Sequence, residues 1–365
     1  MPNTFFPHPP SVPLALVIDL EALAHNYRII CASLKKGTIC AVVLKANGYG
    51  MGLKEASSRL YQEGCRHFFM AFLSEAIELK SYIGQDSFIY VLAGLRQGDE
   101  DVYVRHTFIP VLSDLSQMQD WNTFSINKGQ CLKAALHFDT GMTRTGLSPE
   151  AVKNLTLLDL SHIEIVCVMS HLACAYQSTH PMNETQRLSF DDLRKRFHTI
   201  PASFSSTGGT HLGQPYHYDM VRIGIALTGC QVADNPKLKP VLKAYSQVLQ
   251  INHIKVGEAV GYDATFVAER PSSIATLGGG YADGYFRRLS NRGEVYFQGK
   301  RLPIVGKVSM DMFTIDVTDV SIHPGDWVEL FGDHLSAHEV AEKAGSVSWE
   351  LFARLGPRFE RFYVG

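Results

Sequence analysis

Short apolar runs alternate with helix-length amphipathic segments between Ile39 and Leu227, and this alternation constrains the fold more than any other feature. Most runs are continuously apolar, as parallel strands covered on both faces should be. There are eight of them: Ile39–Leu44, His67–Phe72, Phe88–Ala93, Phe108–Leu112, Ala134–Asp139, Ile163–Ser170, Ala202–Ser206 and Met220–Leu227. Eight strand–helix units predict a (β/α)8 TIM barrel, an α/β fold, with an open doubly wound sheet as the competing arrangement.

The amphipathic segments between the runs are expected to form helices. Four of them are Leu53–Glu63, Ser74–Tyr82, Pro149–Leu160 and Glu184–His198. Leu20–Ser33 is expected to be the first helix of the chain. The apolar run before it, Leu14–Asp19, is left over from the barrel strands, so we expect it to join a second domain or to bridge to it.

After Pro240 the sequence changes to glycine-rich turns and further short runs such as Ser272–Leu277 and Phe313–Val317. This pattern predicts a C-terminal mainly-β domain that closes with one helix near Ala337–Ala344. We therefore divide the chain into a barrel over residues 17–238 and a mainly-β domain over residues 239–365, with residues 1–16 as a candidate addition to the second.

Composition argues against several kinds of partner. The net charge is −2 without basic or acidic blocks, which disfavours nucleic acid and anionic membrane surfaces. No run of about 20 apolar residues could span a bilayer, and Met1–Pro13 lacks the positive and apolar regions of a signal peptide. The seven cysteines are scattered without Cys-x-x-Cys pairs, so reduced thiols in the cytoplasm fit better than disulfides or a zinc site, and we expect no metal.

Lys45 is the first candidate for chemistry. It directly follows the first apolar run and opens the glycine-rich segment Lys45–Gly52. A lysine delivered by a buried strand cannot extend to solvent as surface lysines do, and burial disfavours its charged form. A neutral amine is a nucleophile that can bind an aldehyde such as pyridoxal phosphate covalently. On its own, the position is also that of an ordinary lysine ending a strand beside a turn.

Further polar residues follow the later strands, where barrels carry their functional groups. They are Asp139–Arg144 after the fifth run, Ser170–His171 at the end of the sixth, Ser205–Gly208 at the end of the seventh, and Arg222–Gly224 within the eighth. The last two strands of a barrel usually provide its phosphate site, for which Ser206 offers a hydroxyl and Gly224 a bare N–H group. An ordinary turn at Ser205–Gly208 is the alternative.

In order along nearly the whole chain, these and further motifs resemble those of alanine racemases, a two-domain, fold type III family dependent on pyridoxal phosphate. The resemblance rests on Lys45 with Ala46–Gly50, Asp139–Met142 with Arg144, Ser170–Ala173, Val221–Ala226, Gly280–Tyr285, Val305–Asp311, and Trp349–Leu351 with Arg358 and Arg361. Each motif is modest alone, and their shared order makes the match specific.

The resemblance implies two catalytic bases and a homodimer. Lys45 would carry pyridoxal 5'-phosphate covalently and serve as one base, and Tyr262 would be the second. Arg144 and the backbone of Met310 would hold the substrate carboxylate. Tyr262 and Met310 would reach the site from the partner subunit, so the two subunits would share their active sites.

The resemblance also implies the cofactor contacts. Arg222 would pair with the pyridine nitrogen, and His171 would lie beside the ring. The residues at the phosphate would be Tyr49, Ser206, Gly224 and Ile225. Because arginine stays protonated, the ring nitrogen would accept its hydrogen bond and remain unprotonated, which we expect to limit transamination.

The implied chemistry makes physical sense for a racemase. Racemisation removes the α-proton from one face of a planar carbanion and returns a proton to the other, so bases on opposite faces can perform it directly. The pKa of tyrosine is ordinarily about 10, so nearby cationic or hydrogen-bond-donating groups would have to lower it, and His171 with an arginine are the candidates. Without the resemblance, Tyr262 reads as a half-buried aromatic residue of a β domain.

Several residues depart from the family pattern. His137 stands where many members have a lysine modified by carbon dioxide, so either another anion such as chloride holds Arg144, or Arg144 is set differently, or His137 simply packs and forms hydrogen bonds. Trp349 replaces a tyrosine that binds phosphate and narrows the entrance. The other departures are Met51, Ser205, Thr228 and Asp263. We expect these changes to cluster at the cofactor and the entrance, with serine as a second substrate, since pockets discriminate such pairs by only about 10²-fold.

The sequence therefore favours interconversion of L- and D-alanine, with D-alanine for peptidoglycan as the common use in the family. A broader alanine and serine racemase is the nearest alternative. A fold type III decarboxylase would need an acidic partner for the pyridine nitrogen, and Arg222 argues against it. A non-catalytic pyridoxal-phosphate carrier would resemble the barrel alone, and a structural protein would not need Lys45, Arg144, His171 and Arg222 together.

Overall fold

The computed structural model describes residue 6 and residues 8–156, 160–230 and 238–365. Its first strand, β1 (Leu14–Asp19), runs directly into helix α1 (Leu20–Ser33), as expected for the first helix. Asp19 makes this junction, because its Oδ1 accepts the N–H of Ala22 at 2.8 Å and so satisfies a donor that a helix N-terminus leaves free.

Eight parallel strands form a closed barrel. They are β2 (Ile39–Val43), β3 (His67–Met70), β4 (Phe88–Val91), β5 (Ile109–Leu112), β6 (Leu132–His137), β7 (Ile163–Met169), β8 (Ala202–Ser206) and β9 (Met220–Ile223). β9 pairs in parallel with β2, with Met220 opposite Ile39, and this pairing closes the ring. The TIM barrel is therefore confirmed, and the open doubly wound sheet is excluded.

Helical segments connect the strands. They are α2 (Lys45–Tyr49), α3 (Leu53–Gln62), α4 (Leu73–Lys80), α5 (Glu100–His106), α6 (Leu115–Lys128), α7 (Pro149–Asn154) and α8 (Met182–Arg194). The predicted helix Pro149–Leu160 was too long, because α7 ends at Asn154; residues 157–159 of that prediction lie outside the described residues. The predicted helix Glu184–His198 begins earlier, at Met182, and its end is the 3₁₀ turn Lys195–Phe197.

The barrel interior is packed with side chains from alternate strand positions, as this fold requires. The buried members are Ala41, Val43, Phe69, Tyr90, Ile109, Val111, Ala135, Cys167, Met169 and Met220. A second apolar cluster lies between the strands and the helices and continues into the C-terminal part of the chain. The filled interior leaves the carboxyl ends of the strands as the place for a cavity.

The C-terminal part is mainly β, as predicted. Its strands are β10 (Leu242–Ile254), β11 (Ala259–Val260), β12 (Phe266–Val267), β13 (Ser272–Gly278), β14 (Glu294–Phe297), β15 (Lys300–Pro303), β16 (Met312–Asp316), β17 (Trp327–Phe331) and β18 (Glu360–Val364). The long strand β10 pairs with β1, β13 and β17 and holds the sheet together. Two helices follow β17, α9 (Ala337–Lys343) and α10 (Ser348–Arg354), where the sequence predicted one. α10 is the helix that the sequence analysis did not predict.

β1 belongs to this sheet, since it pairs antiparallel with β10 and parallel with β18. Leu14–Asp19 therefore joins the second domain rather than the barrel, one of the two expected outcomes. The predicted start of the barrel domain at residue 17 falls inside β1, and residues 231–237 before its predicted end lie outside the described residues. The domain boundaries stay a prediction. Among the described helices, none has the length and apolar character needed to cross a bilayer.

Candidate active site

A cavity of about 680 Å³ opens where the barrel strands end. Its lining includes every site residue predicted within the barrel: Lys45, Tyr49, Arg144, His171, Ser206, Arg222, Gly224 and Ile225. His137 and Trp349, two of the departures from the family pattern, line it as well. The residues selected from strand ends therefore converge on one place.

Lys45 opens a turn with unusual backbone geometry. Ala46, Asn47, Gly48 and Tyr49 have φ values of 54°, 54°, 63° and 53°, so the chain winds left-handed directly after the lysine. Such geometry costs about 1–2 kcal/mol for each residue other than glycine. Strain of this kind persists only where the surroundings impose it, and it is concentrated at functional sites. The Asn47 side chain provides one constraint, because its Oδ1 accepts the N–H of Leu53 at 2.8 Å.

The surroundings of Lys45 favour its neutral form. Burial lowers the pKa of its amine, and the positive charge of Arg144 lowers that pKa further, while the charge of Glu75 opposes the shift. A lowered amine pKa is what covalent capture of an aldehyde requires, in line with the prediction for this lysine.

Arg222 crosses the floor of the cavity and is 3% exposed. Its guanidinium donates to the Ser203 hydroxyl at 2.6 Å, to the Ser170 carbonyl at 2.7 Å and to Nδ1 of His171 at 3.3 Å. Burial lowers its pKa to about 10, which leaves it protonated at neutral pH. No carboxylate in the described part of the chain bonds to it, so it retains its charge and donor character toward the cavity.

His171 is neutral in this arrangement. Burial holds its pKa well below the ordinary value, and the charges of Arg222 and Arg144 act in the same direction. Since Nδ1 accepts from Arg222, the ring proton belongs on Nε2. His171 was a candidate source of positive charge beside the cofactor, but the structure makes it a neutral ring and leaves that charge to Arg222 and Arg144.

Gly224 lies at the opposite end of the cavity, against Tyr49. A Cβ atom at this position would lie 2.7 Å from the Tyr49 hydroxyl, so any larger residue would displace the tyrosine. The sequence offered the Gly224 N–H as a free donor for a phosphate. In the structure this N–H donates to the Thr207 hydroxyl at 3.1 Å. Gly224 thus shapes this end through its missing side chain, beside Ser206 and Ile225.

The loop that carries Arg144 is shaped by its own first residue. Asp139 Oδ1 accepts the N–H groups of Gly141 at 2.9 Å and Thr143 at 3.1 Å, which folds the loop back over the cavity. His137, 7% exposed, contacts the hydroxyl of Thr145 at 3.3 Å. Burial and the charges of Arg222 and Arg144 lower the pKa of His137 to about 4, so at neutral pH it brings no charge to Arg144.

Tyr262 and Met310 do not line the cavity of their own chain. Tyr262 begins the 3₁₀ turn Tyr262–Ala264 and is 69% exposed, and Met310 precedes β16 and is 52% exposed. The structure thus assembles the barrel residues and leaves these two in solvent.

The assembled residues fit pyridoxal phosphate. The group carries an aldehyde, a pyridine nitrogen that can accept a hydrogen bond, and a phosphate dianion. The cavity offers an amine of lowered pKa, a buried arginine and a glycine whose missing side chain leaves space beside a tyrosine. Within the described ranges, no group of three His, Cys, Asp or Glu side chains is arranged to hold a metal ion.

Comparisons with known proteins agree with this site. Residues 18–232 match the family described as alanine racemase, N-terminal domain, and residues 241–363 match alanine racemase, C-terminal domain. The alanine racemase of Brucella abortus is 40% identical over 371 residues, covering 96% of this chain and 93% of that protein. The chain belongs to the alanine racemase family.

Two further members of the alanine racemase family are similar over comparable lengths. The catabolic alanine racemase of Mesorhizobium japonicum is 41% identical over 358 residues, covering 96% of this chain and 93% of that protein. The crystal structure of the Bartonella henselae alanine racemase with covalently bound pyridoxal phosphate superposes with a TM-score of 0.93. It is 37% identical and covers 97% of this chain and 100% of that one.

Sequence reasoning missed several residues that support the alanine racemase site. Ser203 and Thr207 hold Arg222 and Gly224 through the hydroxyl contacts described above. Gln186 on α8 is fully buried and joins two loops. Its Nε2 donates to the Thr140 hydroxyl at 3.2 Å and to the His171 carbonyl at 2.9 Å, and its Oε1 accepts the Ala173 N–H at 2.9 Å. A buried polar residue on an amphipathic helix was the available signal.

Four of the departures from the alanine racemase pattern do not line the cavity of their own chain. The Ser205 hydroxyl donates to the Tyr216 carbonyl, Thr228 donates to the Ile225 carbonyl, Met51 is buried in the core, and Asp263 pairs with Lys307 at the surface. Trp349 does line the cavity, and its ring stacks on Tyr176 with centroids 5.6 Å apart. Of these substitutions and His137, only His137 and Trp349 alter the lining.

Proposed function

We propose that this chain interconverts L- and D-alanine with pyridoxal 5'-phosphate as its cofactor, as its family does. The observation that carries the proposal is that Lys45 lines the same cavity as a protonated arginine. Its surroundings lower the pKa of the Lys45 amine, and the arginine has no carboxylate partner among the described residues. That arginine, Arg222, disfavours the decarboxylase alternative. The match of residues 241–363 to the second family domain disfavours the carrier alternative.

The residues of the barrel have separate tasks. When bound, pyridoxal phosphate withdraws electrons from the α-carbon of the substrate and so makes its α-proton acidic. Lys45 holds the cofactor and moves a proton at one face of that carbon. Arg222 and His171 orient the ring, while Arg144 binds the substrate carboxylate as a charge-assisted partner. Tyr49, Ser206, Gly224 and Ile225 enclose the phosphate.

A second base completes the site from another copy of the chain. Tyr262 is largely exposed and absent from its own cavity, as is Met310, so each is available to a neighbouring subunit. In the homodimer that we propose, Tyr262 of the partner subunit faces Lys45 across the α-carbon. The partner's Met310 meets the substrate carboxylate through its backbone.

The physiological setting follows the family. We propose a cytoplasmic enzyme that supplies D-alanine for peptidoglycan. All seven cysteines lie in the described residues and are free thiols, as a reducing compartment would keep them. We take alanine as the main substrate and serine as the alternative; Trp349 and Tyr176, which stack on each other in the cavity lining, are the residues to examine for that choice.

Hybrid dimers test the shared site. Lys45→Ala and Tyr262→Phe chains, each inactive alone, are co-expressed with different affinity tags, and mixed dimers are isolated. Each mixed dimer then has one intact pair of bases if Tyr262 acts across the interface, so it should regain about half of wild-type activity. If the bases act within one chain, no mixed site is intact, and absence of recovery contradicts the proposal. Assays with L-alanine and L-serine separate the two substrate ranges.

A further inference from the structure

A single carboxylate joins the lysine turn to the neighbouring strand. Glu75 lies on α4, and its Oε1 accepts the N–H of Ala46 at 2.8 Å. Its Oε2 accepts the N–H groups of Ala71 at 2.9 Å and Phe72 at 3.2 Å. Three backbone donors from two separate segments therefore meet at one side chain.

These donors come from the segments that form the cavity edge. Ala46 directly follows Lys45 and is the first left-handed residue of the turn. Ala71 and Phe72 follow β3 and line the cavity themselves. Glu75 thus ties the strained turn after the lysine to the end of the adjacent barrel strand.

Helix capping explains only part of this arrangement. A glutamate at the third position of a helix commonly accepts the N–H of the residue before the helix, which accounts for the contact with Phe72. It does not account for Ala46, 29 positions earlier in the turn that follows β2. No ion pair of Glu75 is found in the described part of the chain, so its charge is directed to backbone donors.

The charge of Glu75 matters for two reasons. The two segments donate to different oxygens of the carboxylate, and in glutamine one of these positions would be an NH₂ group, which cannot accept an N–H. Hydrogen bonds to a charged acceptor are also roughly twice as strong as neutral ones. Holding a left-handed turn against its own strain calls for such a contact.

We propose that Glu75 is a positioning residue, which holds the backbone after Lys45 so that the amine faces the cavity ready to capture the cofactor. This inference rests on the proposed function, because it concerns the same lysine. It assigns a task to a side chain that does not itself touch the substrate.

The test compares the apoproteins of Glu75→Gln and of Glu78→Gln, an exposed glutamate on the same helix. Each is mixed with pyridoxal 5'-phosphate, and covalent attachment is followed by absorbance. Borohydride reduction and peptide mass then locate the modified lysine. Glu75→Gln should attach the cofactor about tenfold more slowly, because a hydrogen bond to a charged group is lost, while Glu78→Gln should stay within about twofold of wild type.

The pH profile of attachment separates positioning from simple loss of stability. Arg144 and Glu75 are the charges that act on the Lys45 amine, and His171 faces it as a neutral ring. Removing the Glu75 charge should move the half-maximal pH of attachment downward. An unchanged rate and midpoint in fully folded Glu75→Gln protein would overturn the inference.

Wild-type protein supplies an independent readout if the variant does not fold. Hydrogen exchange should show protection of the Ala46 amide, and rapid exchange there would also overturn the inference. Failure of the proposed function looks different. In that case wild-type protein itself would not attach the cofactor at Lys45.

Discussion

The barrel mouth and the exposed tips of the C-terminal domain, the two places where Tyr262 and Met310 lie, differ sharply in burial. At the mouth, Arg222 is 3% exposed and each of its contacts is made within the chain. At the tips, Tyr262 is 69% and Met310 52% exposed. One half of the proposed site is thus organised before any partner or ligand arrives. The other half is presented outward, where the proposed homodimer would use it.

Burial explains the order of the first half. A buried guanidinium without a carboxylate partner must have its N–H groups satisfied by neutral acceptors, and Ser203 and Ser170 supply them. The same burial keeps His137 and His171 uncharged, so positive charge is confined to the arginines. The exposed tips need no such network, because water satisfies their polar groups.

The largest expected effect comes from removing the amine. Lys45→Ala should abolish the visible absorbance of the attached cofactor and lower activity by about 10⁴-fold or more, since it removes both attachment and a base. Absorbance spectroscopy and an assay of enantiomer conversion measure this. The exposed Lys54→Ala should behave as wild type. A retained absorbance band would show that Lys45 is not where the cofactor attaches.

The next effect tests the outward half. Tyr262→Phe should slow exchange of the α-proton by about 10²–10⁴-fold for one enantiomer of alanine and far less for the other, because only one face loses its base. Deuterium incorporation from D₂O, started separately from L- and D-alanine, measures both rates. Tyr296→Phe in the same domain is the control. Equal losses for the two enantiomers would refute the two-base assignment.

A smaller effect concerns the protonation of the buried histidines at the barrel mouth. The pKa of His137 is about 4 when folded, against an ordinary 6.5. Between these values the unfolded chain binds a proton that the folded chain does not, so stability falls as pH drops from 6.5 to 4, by up to about 3 kcal/mol. His171 contributes in the same direction. In His137→Asn the free energy of unfolding in urea should depend less on pH, and an identical slope would contradict this reading.

The smallest effect tests the support under Arg222. Ser203→Ala removes an acceptor from a buried guanidinium and should lower the free energy of unfolding by about 1–3 kcal/mol. Urea denaturation measures the change. Ser81→Ala, which removes an exposed hydroxyl, should change stability by less than about 0.5 kcal/mol. Equal changes in the two variants would mean that Arg222 does not depend on its serine.

Placement of the barrel residues could be predicted because it depends on one rule. Lys45 and His171 directly follow apolar runs and Arg222 lies within the eighth, and the parallel strands of a closed barrel bring these residues together. Their contacts could not be predicted in the same way. The use of the Gly224 N–H by Thr207, and of the Ala46 N–H by Glu75, depends on side-chain directions across distant segments.

The departures from the family pattern show the same limit. Ser205 and Thr228 are close in sequence to cavity residues, yet neither lines the cavity, and both hydroxyls donate to backbone carbonyls. Trp349 lies far away in sequence and still reaches the wall, because α10 packs beside the barrel mouth. Proximity along the chain was therefore a poor guide to the lining.

The sequence alone determined the barrel, the β domain and which residues meet at the strand ends, because hydrophobic periodicity and strand order are local properties of the chain. Only the tertiary structure decided that Leu14–Asp19 lies in the C-terminal sheet and that the Glu75 carboxylate accepts the Ala46 N–H. It also decided that Tyr262 and Met310 lie outside their own cavity. Such facts depend on pairing between segments far apart in the chain, and each pairing is selected by the packing of the whole molecule.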